Sequence, residues 1–253
     1  MIRIQGLSKK YNEKYVVKNA DALFPLGKVT SIIGPNGAGK STLLSMASRL
    51  TESDAGTVVI GDKPLDQWNT EDLAKRLSVL RQSNNINMRF TVRDLVAFGR
   101  FPYSQGRLTE DDHRIIEESM QHLEIDHLKD RFIDQLSGGQ RQMAFIAMVV
   151  AQDTDYIFLD EPLNNLDIKH SVDIMSTLRK LAEMKNKAIV IVIHDINFAS
   201  CYSDHIVAMK LGEVIKAGTV EEVIDADVLS DIYEIPFIVQ EIDGNRISLY
   251  YRR

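Results

Sequence analysis

The sequence contains the run Gly34-Pro35-Asn36-Gly37-Ala38-Gly39-Lys40-Ser41-Thr42, which follows the apolar residues 29–33 and precedes the largely apolar residues 43–46. The run matches G-x-x-x-x-G-K-[ST], a phosphate-binding loop between a strand and a helix. Its glycines let backbone N–H groups curl around an anion, and the helix that begins at Lys40 directs the positive end of its dipole there. Lys40 would add a charge for phosphates, and Ser41 a hydroxyl for Mg²⁺. The alternative is a glycine-rich turn with a surface lysine, which the preceding strand disfavours.

The composition of the 253 residues is that of a globular domain, with 44% hydrophobic and 26% charged residues. The length allows one large domain, or a domain with an inserted subdomain. The formal net charge of −6 does not favour a nucleic-acid-binding surface. The sequence has no apolar run of 18 residues and no signal-peptide segment, so we expect no membrane span and no secretion. The single cysteine, Cys201, cannot form an internal disulfide, which fits a reducing, cytosolic location.

Two further apolar runs end in polar side chains. Residues 156–159 lead to Asp160 and Glu161, and residues 188–193 lead to His194. Such runs are typical of parallel strands covered on both faces, and ligands bind where these strands end. We therefore expect Asp160 to hold Mg²⁺, directly or through water, and Glu161 to act as a base toward water. His194 could reach the same nucleotide, although a lone histidine at a strand end is usually structural.

The run Leu136-Ser137-Gly138-Gly139-Gln140 precedes a strongly apolar helix over residues 143–150. Ser137 and Gln140 form an S-x-x-Q capping box, but capping alone does not require two consecutive glycines, which are poor helix residues. A second phosphate at this helix start would explain them, because bare N–H groups can then approach it closely. The run therefore indicates a second anion site.

The remaining patterns indicate how the chain is organised. Short strands at residues 2–7, 15–17 and 20–24 predict an antiparallel sheet near the N-terminus, whereas helical periodicity begins at Thr91. We predict a single domain over 1–253, with a catalytic core and β-subdomain at roughly 1–84 and 154–253, and a helical subdomain at roughly 85–153. Tyr11 falls in a predicted polar turn over residues 9–13, where it is either a surface tyrosine or a ring stacked on a nucleotide base.

Together these motifs resemble those of the ABC-type ATPases, the nucleotide-binding subunits of ABC transporters. The most specific element is Leu136–Gln140, the signature that separates this family from other phosphate-loop ATPases, and its position between the phosphate loop and Asp160-Glu161 also matches. The resemblance covers nearly the whole chain. It implies an α/β fold with a mostly parallel core sheet, an N-terminal antiparallel β-subdomain and an inserted helical subdomain.

The resemblance implies ATP and Mg²⁺ as ligands and gives roles to residues of one subunit. The nucleotide would be contacted by Tyr11, which stacks on adenine, and by Asn36, Gly37, Ala38, Gly39, Lys40, Ser41 and Thr42. The metal ion would be contacted or organised by Ser41, Gln82 and Asp160. Hydrolysis would depend on Lys40, Gln82, Glu161, which polarises the attacking water, and His194, which steadies the γ-phosphate and the water.

The resemblance also implies a second copy of the chain. Ser137, Gly139 and Gln140 would act in trans on ATP bound by that copy, so that a head-to-tail homodimer encloses two ATP molecules. Asp167 would signal across the interface. The sequence departs from the family at Asn164, which stands where the S-x-L-D loop usually has a serine, and this leaves the contacts of Asn164 open.

Within the family, residues 98–103, 107–112, 161–167 and 194–197 look like the iron–siderophore importer group, which also handles haem and cobalamin. The resemblance thus implies a peripheral ATPase at the cytoplasmic face of the membrane, bound to permease subunits and linked indirectly to a substrate-binding protein. Residues 83–103 would contact the permease, and no nucleic acid is expected. The alternatives are a haem or cobalamin importer, a non-transport ABC ATPase, and a small-molecule kinase or GTPase.

Overall fold

A computed structural model describes residues 1–82, 89–164 and 166–251. The strands are β1 Ile2–Tyr11, β2 Lys14–Phe24, β3 Val29–Ile33, β4 Ala55–Ile60, β5 Lys63–Pro64, β6 Leu77–Leu80, β7 Tyr156–Asp160, β8 Ala188–Val192, β9 His205–Lys210, β10 Glu213–Thr219, β11 Ile238–Ile242 and β12 Asn245–Leu249. The α-helices are α1 Lys40–Ala47, α2 Thr70–Ala74, α3 Val92–Ala97, α4 Phe101–Ser104, α5 Glu110–His122, α6 Gly138–Ala151, α7 Ile168–Lys185, α8 Ile196–Tyr202, α9 Val220–Val223 and α10 Ala226–Tyr233.

The central sheet has the strand order β10-β9-β3-β8-β7-β6. Its neighbouring strands pair in parallel from β9 to β6, and only β10 is antiparallel to its neighbour. All residues of β3, β7 and β8 are buried, as expected for apolar strands with both faces covered. Because parallel strands share their direction, the phosphate loop after β3, His194 after β8, Glu161 after β7 and Gln82 after β6 lie along one edge.

The core consists of two apolar clusters on opposite faces of this sheet. Along β3 and β8, side chains alternate between them, so that Ile33 and Ile191 belong to one cluster, and Ile32 and Val192 to the other. The first cluster includes residues of α3, α5, α6 and α7, and the second includes residues of α1 and of the N-terminal sheet. Apolar packing therefore covers both faces of the central sheet and restrains the strand ends that carry the polar residues.

The N-terminal sheet is antiparallel with the order β2-β1-β4-β5, as the short alternating strands predict. The polar turn predicted over residues 9–13 is wrong, because β1 continues to Tyr11, which pairs with Lys14. The turn consists of Asn12 and Glu13, both in the left-handed region. The two strands predicted over residues 15–24 are one strand, β2, in which Asn19 adopts a positive φ of 47° next to a shift of register.

Between Thr91 and Gln152 the described chain forms helices and turns but no strand. Thr91, Thr109 and Ser137 each cap a helix through a capping box, as the S-x-x-Q pattern predicts for Ser137. The predicted start of a helical subdomain near residue 85 lies outside the described residues, and the division of the chain into subdomains stays a prediction. Among the described helices, none combines the length and the apolar character needed to cross a membrane.

Candidate active site

The phosphate loop has the backbone that only glycine adopts readily. Gly34, Gly37 and Gly39 have φ values of 144°, 78° and 96°. A Cβ atom at Gly34 would lie 2.1 Å from the carbonyl oxygen of Met209, and one at Gly39 would lie 2.5 Å from that of Val16. A Cβ atom at Gly37 would meet nothing within 4 Å. The loop is therefore packed tightly at both ends and open in the middle, as an anion cradle requires.

Lys40 begins α1 and lies over this loop. Its ammonium donates hydrogen bonds to the carbonyl oxygens of Gly34 and Pro35, at 2.8 and 2.9 Å. Burial lowers the pKa of Lys40, and the nearby carboxylates of Glu161 and Asp160 act in the opposite direction. With Val16 and Glu161, the loop residues Asn36 to Thr42 line a cavity of about 180 Å³. The buried ammonium and the open loop thus provide the positive site that a phosphate needs.

Ser41 and Asp160 form the second element of the site. The Ser41 hydroxyl donates a 2.7 Å hydrogen bond to Oδ1 of Asp160, whose residue is 8% exposed at the end of β7. Burial raises the pKa of Asp160, while the Ser41 hydrogen bond acts to lower it. Ser41, Gln82 and Asp160 all line one cavity of about 270 Å³. A hydroxyl, an amide and a carboxylate fit Mg²⁺, which prefers oxygen ligands and keeps several waters. Among the described residues, no three or more Asp, Glu, His or Cys side chains are grouped so that they could hold a metal ion.

Glu161 is the next residue, and its carboxylate points to a different set of partners. Its Oε1 lies 2.6 Å from Nε2 of His194, and its Oε2 accepts a 2.6 Å hydrogen bond from Nε2 of Gln82. Oε2 also accepts a hydrogen bond from Nδ2 of Asn164. The backbone of Glu161 has a positive φ of 53° and donates to the carbonyl of Val192 in β8. The structure therefore brings Gln82, Glu161 and His194 together, as expected, and identifies the contact of Asn164 that the sequence left open.

Tyr11 lies at the rim of the cavity that contains Ser41 and Asp160. Its residue is 51% exposed, and the ammonium of Lys9 lies 5.6 Å from the ring centre. An exposed aromatic face beside a phosphate site has the geometry that stacking on a base requires. Tyr11 therefore lies where an adenine could be bound, and its stacking role stays a prediction.

The signature residues and Asp167 form a separate group. Ser137 caps α6, and its hydroxyl accepts a 3.3 Å hydrogen bond from the N–H of Gln140. Asp167 caps α7 and accepts hydrogen bonds of 2.8 Å from the N–H and the ring Nδ1 of His170. A Cβ atom at Gly139 would lie 3.7 Å from the His170 ring, so the two helix starts are in contact.

None of Ser137, Gly139, Gln140 and Asp167 lines the two cavities at the phosphate loop, as the described residues define them. This separation within one chain is what a role in trans requires. Sequence reasoning missed His170, whose spacing of three residues from Asp167 on a helix was the available signal. It also missed the partner of Asn164, which is three residues from Glu161 in a turn.

Comparison with known proteins identifies the family. The family model described as "ABC transporter" matches residues 17–164, which is more than half of the chain. The petrobactin import ATP-binding protein YclP of Bacillus subtilis is 54% identical over 251 residues, which cover 99% of this chain and 100% of that protein. The ferric enterobactin transport ATP-binding protein FepC of Escherichia coli is 37% identical over 234 residues, which cover 92% of this chain and 86% of that protein.

The solved structures agree with this result. A dimeric bacterial ABC transporter cassette is 30% identical, superposes with a TM-score of 0.78, and is matched over 87% of this chain and 99% of its own. An inward-facing putative metal-chelate ABC transporter superposes with a TM-score of 0.86 over 99% of this chain and 97% of its own, but its 21% identity supports the fold alone. The α/β fold with a mostly parallel core sheet is thereby confirmed. The chain belongs to the ABC transporter family, as one of its ATP-binding subunits.

Proposed function

We propose that this chain hydrolyses ATP to drive the import of an iron–siderophore complex through a membrane permease. The observation that carries the ATPase assignment is that two neighbouring carboxylates have different partners. Asp160 accepts a hydrogen bond from Ser41 of the phosphate loop, whereas Glu161 contacts Gln82 and His194. The names of the relatives support the substrate class, because they describe petrobactin import, iron(3+)-hydroxamate import and ferric enterobactin transport.

In this proposal, each subunit binds ATP along the edge where the parallel strands end. Backbone N–H groups of residues 36–42 hold the phosphates, and Lys40 exchanges its carbonyl partners for phosphate oxygens. Ser41, Gln82 and Asp160 would hold Mg²⁺, which would supply positive charge to neutralise the phosphates. Tyr11 stacks on the base at the rim of the cavity.

Glu161 and His194 act on the attacking water. Glu161 orients a water molecule toward the γ-phosphate and accepts its proton, while the neighbouring His194 holds the carboxylate in place. Water attack forms a bond to the γ-phosphorus, and the bond to the leaving ADP oxygen breaks. Gln82 contacts Glu161 and lines the metal cavity, so it links the base to the metal site.

A second copy completes the site from the other side. Ser137, Gly139 and Gln140 contact the ATP held by the partner copy, and Asp167 transmits closure across the interface. The similarity of this chain to a solved ABC transporter cassette that is dimeric supports this arrangement. The arrangement requires a head-to-tail homodimer with two enclosed ATP molecules.

The helical segment, roughly residues 85–153, would join this motor to the permease at the cytoplasmic face of the membrane, with a substrate-binding protein delivering the ligand outside. Residues 83–88 of the expected contact loop lie outside the described residues. The described part of that segment exposes Phe98, Phe101 and Tyr103, by 45%, 58% and 39%. Exposed aromatic side chains are enriched at protein interfaces, which supports a permease contact here.

The test is ATP hydrolysis by the purified chain, compared with Lys40→Ala and Glu161→Gln. We expect Lys40→Ala to weaken nucleotide binding and Glu161→Gln to retain binding but lose hydrolysis by about 100-fold or more, the usual contribution of a general base. Lys216→Ala, at an exposed position of β10, is the matched control and should behave like the wild type. Hydrolysis at the wild-type rate by Glu161→Gln would contradict the proposal.

A further inference from the structure

The carboxylate of Glu161 is already occupied by hydrogen-bond donors from the protein. Among the described residues, His194 approaches Oε1, while Gln82 and Asn164 both donate to Oε2. Only 10% of the Glu161 side chain is exposed. An ionised carboxylate has about four lone-pair positions, two on each oxygen, so Gln82 and Asn164 fill Oε2 and leave no position there for a water molecule.

Asn164 differs from the other two donors in its position. It is exposed, it follows Glu161 by three residues, and its N–H donates a 3.3 Å hydrogen bond to the carbonyl of Glu161 in a turn. The same segment continues to Asp167, which caps α7. Gln82 and His194, in contrast, follow strands of the central sheet. A shift of the segment that contains Asn164 and Asp167 would therefore remove one donor and leave the other two in place.

We propose that Asn164 is a positioning residue that restrains the Glu161 carboxylate until the second copy engages the Asp167 segment. This inference rests on the proposed function, since it assigns a form of regulation to the same hydrolytic site. In the separate subunit, the Asn164 amide occupies Oε2. When the two copies close, the amide withdraws, and the O–H of the attacking water takes its place on Oε2. The bonds formed and broken in hydrolysis are unchanged, and only the access of water to the base is controlled.

The experiment measures steady-state ATP hydrolysis by the purified full chain without the permease. Asn164→Ala and Asn164→Leu, the second of similar shape, both remove the donor. We expect each to raise kcat about three- to tenfold with KM unchanged, which is the range for losing one hydrogen bond that competes with water. Asn245→Ala, in the β11–β12 hairpin, is the matched control and should leave kcat as it is.

The double variant Glu161→Gln with Asn164→Ala should be inactive, because the gain must act through the carboxylate. An unchanged or lower kcat in both Asn164 variants would overturn the inference. A gain in kcat that survives in the double variant would also overturn it. A wild-type rate in Glu161→Gln alone would instead refute the proposed function, and the two failures are thereby distinguished.

Discussion

The phosphate loop offers a matched pair of substitutions, Gly37→Ala and Gly39→Ala. Both glycines have positive φ values, 78° and 96°, so alanine at either position should cost about 1–2 kcal/mol of backbone energy. At Gly37 the added methyl group meets nothing within 4 Å, and we expect no further cost. At Gly39 it would lie 2.5 Å from the carbonyl oxygen of Val16, and relieving that overlap should cost about 1–3 kcal/mol more.

The assay is thermal and urea unfolding of both variants without nucleotide. In a chain of this size, 1 kcal/mol corresponds to about 2–4 °C in Tm. Gly37→Ala should therefore melt about 2–8 °C below the wild type, and Gly39→Ala should melt lower than Gly37→Ala by at least about 2 °C. Equal melting temperatures, or a lower one for Gly37→Ala, would show that the close approach of the Val16 carbonyl in β2 is not what requires glycine at position 39.

Three further predictions concern other residues of the chain. Since burial raises the pKa of Asp160, its contribution to stability is present below its unfolded value near 4 and is lost as the pH rises through the folded pKa. Asp160→Asn should thus melt higher than the wild type at pH 8 without nucleotide, with a difference that shrinks toward pH 4; a difference independent of pH would contradict this. Asp167→Ala removes the cap of α7 and should cost about 1 kcal/mol, whereas Asp167→Asn should retain most of the stability in the same thermal assay. Arg100→Ala leaves Asp112 buried without its 2.7 Å partner and should cost about 3–5 kcal/mol in urea unfolding. Arg100→Met with Asp112→Asn should restore much of this stability, because the amide removes the buried charge and still accepts the capping hydrogen bond from the N–H of Thr109.

The sequence predicts the edge of the central sheet well, because that edge is encoded locally. The phosphate loop, Asp160 and His194 each follow an uninterrupted apolar run, and buried parallel strands produce such runs. Helix starts are also local, since Thr91, Thr109 and Ser137 each cap a helix with a side chain three residues away. The family resemblance then supplies roles that strand patterns alone do not contain.

Features that depend on pairing or loop geometry are not predictable in this way. The polar residues 9–11 have the composition of a turn, yet they continue β1 because β2 supplies hydrogen-bond partners opposite them. Asn19 interrupts the alternation of β2 by a local change of φ, so that the sequence pattern of this one strand predicts two strands. The hydrogen bond between Asn164 and Glu161 requires a specific turn after β7, and the residue types in this segment do not predict that turn.

The most direct test of iron–siderophore import is uptake by cells whose own copy of this chain carries Lys40→Ala. Ferric catecholate and hydroxamate siderophores, haem and cobalamin would be offered one at a time, and Lys216→Ala would serve as the control. We predict loss of uptake of a ferric siderophore, with the other ligands and the control unaffected. Normal uptake of every ligand, in cells that lack a related ATPase able to substitute, would contradict the assignment.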